Sequence, residues 1–218
     1  MDPILRNLPQ TDWMTLTLVL GLAILVMNRY FFSPFFFNYL VLPFNNRYIA
    51  LNKQKGKVVQ AFHFSMGVFQ LINLSLFIFI AQNVYKKQGF ASHSEVFALI
   101  VIGMLLYLFI KMAVQLGNAY FFDNEPLMME LIFEKSSYFN YGGFIAFFGN
   151  ILMIYIFQDS LALIYVIFIL LLVINGIGII KILRNHQKLF FNNTFYFILY
   201  LCALEISPIA IILSYLNR

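Results

Sequence analysis

The sequence predicts an all-α protein, a polytopic transmembrane bundle of about six spans with both termini on the non-cytoplasmic side. Three observations predict it. Of the 218 residues 62% are hydrophobic and only 11% charged, the apolar residues fall into six stretches of about 20, and Lys and Arg are divided unevenly among the connections. A soluble domain carries roughly 25% charged residues, so a chain this apolar cannot cover a core with groups that water solvates. The mean hydropathy of +0.83 agrees. Spans must be helical, because lipid offers no partner to a backbone N–H or C=O. The alternating pattern of a transmembrane barrel strand is missing.

The first span is expected over residues 12–32. Asp2, Arg6 and Asp12 precede it in place of a basic start, and no small-residue cleavage site follows, so it reads as a retained span rather than a signal peptide. Phe31, Phe32, Ser33, Pro34, Phe35, Phe36, Phe37, Asn38 and Tyr39 come next. Pro34 interrupts the helix, and the rings continue either as an interfacial or re-entrant segment or as an ordinary aromatic belt. The longest polar connection leads to a second span over residues 60–83, and a third covers 96–118. Asp123, Asn124, Glu125 and Pro126 have the form of a helix start, a capping side chain followed by proline in the first turn. A short cytoplasmic helix to about Lys135 is expected there, before span four at 138–157, span five at 161–183 and span six at 194–216. Residues 1–218 then form a single integral membrane domain.

Orientation follows from the positive charges. Ten of the 14, from Arg29, Arg47, Lys53, Lys55 and Lys57 through Lys111, Lys135, Lys181, Arg184 and Lys188, fall on the side of the connections after spans one, three and five. Arg6, Lys86, Lys87 and Arg218 fall on the other. The basic side is retained in the cytoplasm. The net charge of +5 therefore reflects topology and gives no reason to expect nucleic acid. The single cysteine, Cys202, lies in an apolar run and allows no internal disulfide.

The residues that need a reason are the polar ones inside spans. Glu205 falls near the middle of span six, where a carboxylate usually faces a partner or a water-filled cavity. Pro208, three residues on, kinks the helix or frees a carbonyl. Lys111 in span three lies about one turn from the depth of Glu205. The two read either as an ion-coupled site with Glu205 titrating or as a static pair, with Lys111 snorkelling as a further alternative. In span two, His63, Gln70 and Asn73 share one broad face. Asn175, Asn150 and Gln115 add amides from spans five, four and three. Such amides line a hydrophilic path or bond helix to helix, and the second use is the commoner. Gly142, Ala146 and Asn150, and Gly176 with Gly178, read as close-packing positions.

Asp123, Glu125, Glu130 and Glu134 form an acidic group on the predicted cytoplasmic face. Glu130 and Glu134 are one turn apart but have no accompanying histidine, so a solvated face is expected rather than a metal site. Lys53, Lys55 and Lys57 read as a topology signal and an anionic-lipid contact. Three histidines are too few for histidine-rich di-iron or bis-histidine haem chemistry within the chain. No hydrolase elbow, zinc-protease motif or P-loop occurs, and the glycosylation patterns at Asn73 and Asn192 fall mid-membrane and on the cytoplasmic side, where they carry no meaning. No cofactor and no catalytic residue is expected.

Near the C-terminus Tyr200, Leu201, Cys202, Leu204, Glu205, Ile206 and Pro208 stand in the pattern YLCxLEIxP. This segment resembles the C-terminal signature of an uncharacterised Bacteroidota membrane family, domain of unknown function 4271. The aromatic segment from Phe31 to Asn38 and the connection with Asn45, Asn46 and Arg47 are compatible, which extends the likeness over most of the chain. The resemblance implies a multi-pass protein of the bacterial inner (cytoplasmic) membrane, with Glu205 and Pro208 inside the family's motif, and it brings no activity. Little of the sequence is left over for soluble mass, so the expectation is a non-enzymatic subunit or assembly partner of a cell-envelope complex, in contact with the bilayer and partner subunits. The alternative is a small secondary transporter or ion-conducting protein using Glu205.

Overall fold

A computed structural model describes residues 12–45, 47–54, 56–85, 94–121 and 125–185. Among them the chain is helical, in the order α1 (Asp12–Phe31), α2 (Ser33–Leu40), α3 (Arg47–Gln54), α4 (Gly56–Tyr85), α5 (Ser94–Phe121), α6 (Glu125–Tyr155) and α7 (Leu161–Asn185). Four helices, α1, α4, α5 and α7, are long and apolar enough to cross a membrane. They correspond to the expected spans at 12–32, 60–83, 96–118 and 161–183. Of the expected span 138–157 all but the last two residues lie in α6, which is not among the four, and 194–216 lies outside the described residues.

Two boundaries are where local chemistry places them. Pro34 sits in the first turn of α2, where its missing N–H leaves no bond unmade. The Phe32 carbonyl accepts from both Phe35 and Phe36 at 2.9 Å, so the chain bends at Phe32 and restarts at once. Between α6 and α7 Asp159 adopts a φ of 63°, a left-handed conformation that aspartate tolerates better than most residues. The Ser160 hydroxyl then accepts from the Leu163 N–H at 3.4 Å to cap α7. The expected short helix ahead of span four proves continuous with it. Nothing near Ser136 and Ser137 breaks a helix, and one element runs from Glu125 to Tyr155.

The helix directions follow from the contacts. Asn28 meets Ser65 while Gly21 meets Asn73, so α1 and α4 are antiparallel. Asn140 bonds to His63 and Asn150 to Asn73, so α4 and α6 are parallel. Gly149 lies against Ile167, Gly142 against Leu171 and Gly178 against Tyr138, which makes α6 and α7 an antiparallel pair. Phe97 of α5 lies beside Phe79 and Lys111 beside Phe139, so α5 runs against both α4 and α6. The most enclosed helices are α4 and α6, with Phe62, Met66, Phe69, Asn73, Leu76 and Ile80 of α4 and Ser137, Ala146, Asn150 and Met153 of α6 fully buried. By contrast no residue of the α5 apolar window is buried.

Most rings of the segment after Pro34 face into the bundle. Phe35, Phe36 and Tyr39 of α2 are buried, with Tyr39 ringed by Tyr48, Phe62, Tyr141 and Phe144. Only Phe37 of its rings turns outward, under the Arg29 guanidinium at 4.6 Å.

Candidate functional site

Two polar stripes at helical spacing meet where α4 lies along α6. On α4 the stripe is His63, Gly67, Gln70 and Asn73, and on α6 it is Ser136, Asn140, Gly143 and Asn150. Because the helices are parallel, the stripes stay in register. The His63 Nε2 lies 3.1 Å from the Ser136 hydroxyl. Asn140 Nδ2 donates to the His63 carbonyl at 3.3 Å, and Asn150 Nδ2 to the Asn73 carbonyl at 2.8 Å. Across the other face of α4, Asn28 Nδ2 donates to the Ser65 hydroxyl at 2.8 Å.

Glycine lies against three of these amide residues, Gln70, Asn73 and Asn140. A Cβ placed on Gly143 would stand 2.8 Å from the Gln70 Cα, so the two backbones meet with no side chain between them. On Gly21 a Cβ would stand 3.2 Å from Asn73 Nδ2, and on Gly67 one would stand 3.6 Å from Asn140 Nδ2. The amide oxygens fare differently from these donors. Asn28 Oδ1, Gln70 Oε1, Asn73 Oδ1 and Asn150 Oδ1 are buried with no hydrogen-bond partner among the described residues, as is His63 Nδ1. A buried polar group left unpaired costs about 1–3 kcal/mol.

Below the stripes, at the end of the bundle where α2 and α3 lie, an aromatic cluster closes over the chain. The Tyr39 hydroxyl donates to the Ser137 carbonyl at 3.0 Å and the Tyr141 hydroxyl to the Leu40 carbonyl at 3.1 Å. The Leu42 carbonyl receives both Lys181 Nζ, at 3.2 Å, and the Tyr138 hydroxyl, at 3.4 Å. Tyr48 stacks on Phe133 with ring centres 5.7 Å apart. Burial raises the Tyr39 phenol well above its ordinary range, with Tyr48 and Tyr141 adding to the effect. It raises Tyr48 likewise, and the neighbouring Ser137 pulls it slightly back.

The predicted site residues thus divide. His63, Gln70 and Asn73 come together as expected and meet Asn150. Asn175 stands apart on α7, its Nδ2 turned back to the Leu171 carbonyl at 2.8 Å. Lys111 is half-buried on α5, its Nζ 4.3 Å from the Phe139 ring centre and 5.9 Å from that of Tyr107. Glu205, Pro208, Asp123 and Lys55 lie outside the described residues, as do the side chains of Glu125 and Lys53. Lys57 is exposed at the start of α4. The expected solvated acidic face does not extend to Glu134, which is 2% exposed and stands one turn from Tyr138 inside the bundle. Gly178 packs as expected, whereas Gly176 has nothing within 4 Å of where a side chain would begin. Ser65, Ser136, Asn140, Tyr39, Tyr48 and Lys181 join the site although the sequence alone assigns none of them a role there. The signal for Ser136 and Asn140 was available, since their spacing matches that of His63 and Gly67.

Chemically, His63 and Ser136 form a pair within reach for nucleophile and base, but a competent pair has its base oriented by a third group. The His63 Nδ1 has no such partner among the described residues. Nor do those residues hold a group of three His, Cys, Asp or Glu side chains suited to a metal ion.

Comparison with known proteins adds the following. The family model described as a domain of unknown function, DUF4271, matches residues 14–216. No curated protein and no solved structure matches the chain.

Proposed function

The chain belongs to the domain-of-unknown-function family DUF4271, and from that premise we propose that it serves as a non-enzymatic subunit or assembly partner of a cell-envelope complex in the bacterial inner membrane. One observation carries this reading. The donors of Asn28, Asn140, Asn150 and Tyr39 all bond to a carbonyl or hydroxyl of a neighbouring element, which is how packed membrane bundles hold helices in register. Polar groups used in this way fix geometry. Energy input and substrate capture would then come from neighbouring proteins. The apolar window of α5, with Leu99, Phe109 and Met112 exposed, offers such neighbours a contact surface.

The proposal includes six spans, with residues 138–157 and 194–216 completing the four apolar helices, and both termini away from the cytoplasm. Lys53, Lys55 and Lys57 would then face anionic headgroups, and the source would be a member of the Bacteroidota. A reporter fused after Arg218 that is active only in the cytoplasm would overturn the orientation. The second reading, a small transporter or ion-conducting protein, draws on Lys111, a cation within α5 held over two rings that would tune Glu205. Pull-down of the tagged chain from its native membrane in mild detergent, followed by mass spectrometry, separates the two. Stoichiometric partners support the assembly role. Purification of the chain alone, with flux that Glu205→Gln abolishes, rejects it.

A further inference from the structure

Tyr39 of α2 and Tyr48 of α3 both reach across the groove between α4 and α6. The Tyr39 ring centre lies 5.5 Å from that of Phe62 on α4 and 5.8 Å from that of Tyr141 on α6. Tyr48 lies 5.8 Å from Phe62 and 5.7 Å from Phe133 of α6. Phe133 in turn meets the His63 ring at 4.7 Å, and His63 Nε2 lies 3.1 Å from the Ser136 hydroxyl. Tyr48, Phe133, His63 and Ser136 thus form a chain of contacts from α3 into the polar seam. The Tyr48 hydroxyl and His63 Nδ1 are both buried without a hydrogen bond of ordinary geometry, although Ser137 neighbours the hydroxyl. Each gains a partner where water enters.

We propose that α2, the turn after it and α3 form a strap that lifts from the bundle as one unit, admitting water to Ser137 and His63 while α4, α6 and α7 stay packed. The strap is tied to α6 and α7 by hydrogen bonds between a side chain and a main-chain carbonyl. The Tyr39 hydroxyl donates to Ser137 at 3.0 Å, Tyr141 to Leu40 at 3.1 Å, and Lys181 and Tyr138 to Leu42 at 3.2 and 3.4 Å. Its rings do not enter water on leaving. Phe37, Val41 and Phe44 already face outward, and in a bilayer a ring that quits the bundle passes into lipid, so the hydrophobic effect does not hold it in place. Both ends of the strap can pivot. The chain bends at Phe32, and α4 opens on Gly56, where nothing lies within 4 Å of an added Cβ. The strap controls access to the polar seam, and it stands apart from the assembly reading, which concerns what binds the outside of the bundle.

The test uses the full chain in lipid nanodiscs, with Cys202→Ser and a thiol placed under the strap by Ser137→Cys, at a fully buried position. A positively charged methanethiosulfonate reagent attacks that thiol only where water reaches it. Lys181→Met and Tyr141→Phe each remove one tie and leave Phe133 in place. Each should speed the reaction about fivefold, the ratio for one lost hydrogen bond, and the two together about twenty-five-fold. Asn28→Leu, which loosens α1 from α4 instead, should leave the rate unchanged. Hydrogen exchange of the unsubstituted chain reads the same motion even if Ser137→Cys fails to fold. The Tyr39 and Leu51 amides, in α2 and α3, should share one protection factor, lower than that of Phe69 in α4. A thiol that neither substitution exposes overturns the proposal, because the strap is then fixed. So does a thiol that Asn28→Leu exposes equally, which means a loose bundle. Separate protection factors at Tyr39 and Leu51, or a shared one equal to that of Phe69, overturn it as well.

Discussion

Gly143 and Gln70 bring α6 and α4 into backbone contact: a Cβ on the glycine would stand 2.8 Å from the Gln70 Cα. Everything polar along the seam depends on that approach, because His63 with Ser136 and Asn73 with Asn150 bond on either side of it. A methyl group at this point would meet the Gln70 Cα and Cβ, neither of which can move without the backbone, and the Phe69 ring at 3.2 Å.

Gly143→Ala is therefore expected to destabilise the protein by about 1–3 kcal/mol, the range for overpacking a closed interface. Thermal unfolding in detergent should show a midpoint lower by about 5 °C. Gly176→Ala is the control, since nothing lies within 4 Å of its added carbon, and it should leave the midpoint unchanged or slightly raised.

The Asn28–Ser65 bond between α1 and α4 can be measured directly. Interhelical hydrogen bonds in membranes average about 0.6 kcal/mol by double-mutant cycle. Asn28→Leu, Ser65→Ala and the pair together should give a coupling of that size. Strict additivity would mean the 2.8 Å contact holds nothing.

Lys181 reaches from α7 to the Leu42 carbonyl in the turn after α2. That turn is also held by local bonds such as Phe44 N–H to the Val41 carbonyl at 2.9 Å, and by the Tyr138 hydroxyl at 3.4 Å from the same Leu42 carbonyl. Lys181→Met should raise amide hydrogen exchange at Phe44 and Asn45 by about fivefold, the size of a hydrogen bond worth about 1 kcal/mol. Exchange at Phe69 in the middle of α4 should not change.

Alkaline pH should act through Tyr39 and Tyr48. Both phenols are raised by burial in the folded protein above the model-peptide value of 10.0. Below pH 10 neither state ionises these groups and they contribute no pH dependence. Above it the unfolded chain loses protons that the folded chain keeps, so stability falls as pH rises. Tyr48→Phe should make that fall shallower, as read by unfolding midpoints between about pH 9 and 12.

Four of the expected spans were legible because lipid imposes length and apolarity on a helix, and nothing else in the sequence competes with that pattern. The breaks at Pro34 and Glu125 were legible because proline fixes its own place in a helix. The join at residues 135–138 was not, since a change of composition there does not break a backbone. Of the seam, one side could be read: His63, Gln70 and Asn73 lie on a stripe whatever they face. Which amide meets which depends on α4 and α6 running parallel, and only packing decides that. Tyr39 and Tyr48 were hidden for a different reason. Among 27 Phe and 13 Tyr, a ring inside the bundle has the same local sequence as one at the headgroups.

Asn73 and its partner Asn150 are separated by 77 residues of chain. At ribosomal rates of about 5–20 residues per second, about 4–15 s pass after α4 is made before α6 exists to meet it. Through that interval α4 has α1 for company, with Gly21 against Asn73 and Asn28 on Ser65. The α1 helix thus acts as a holder for a half-made neighbour. Weakening it should appear in the cell as loss of nascent chains to quality control, well before the finished protein shows any change in its melting behaviour.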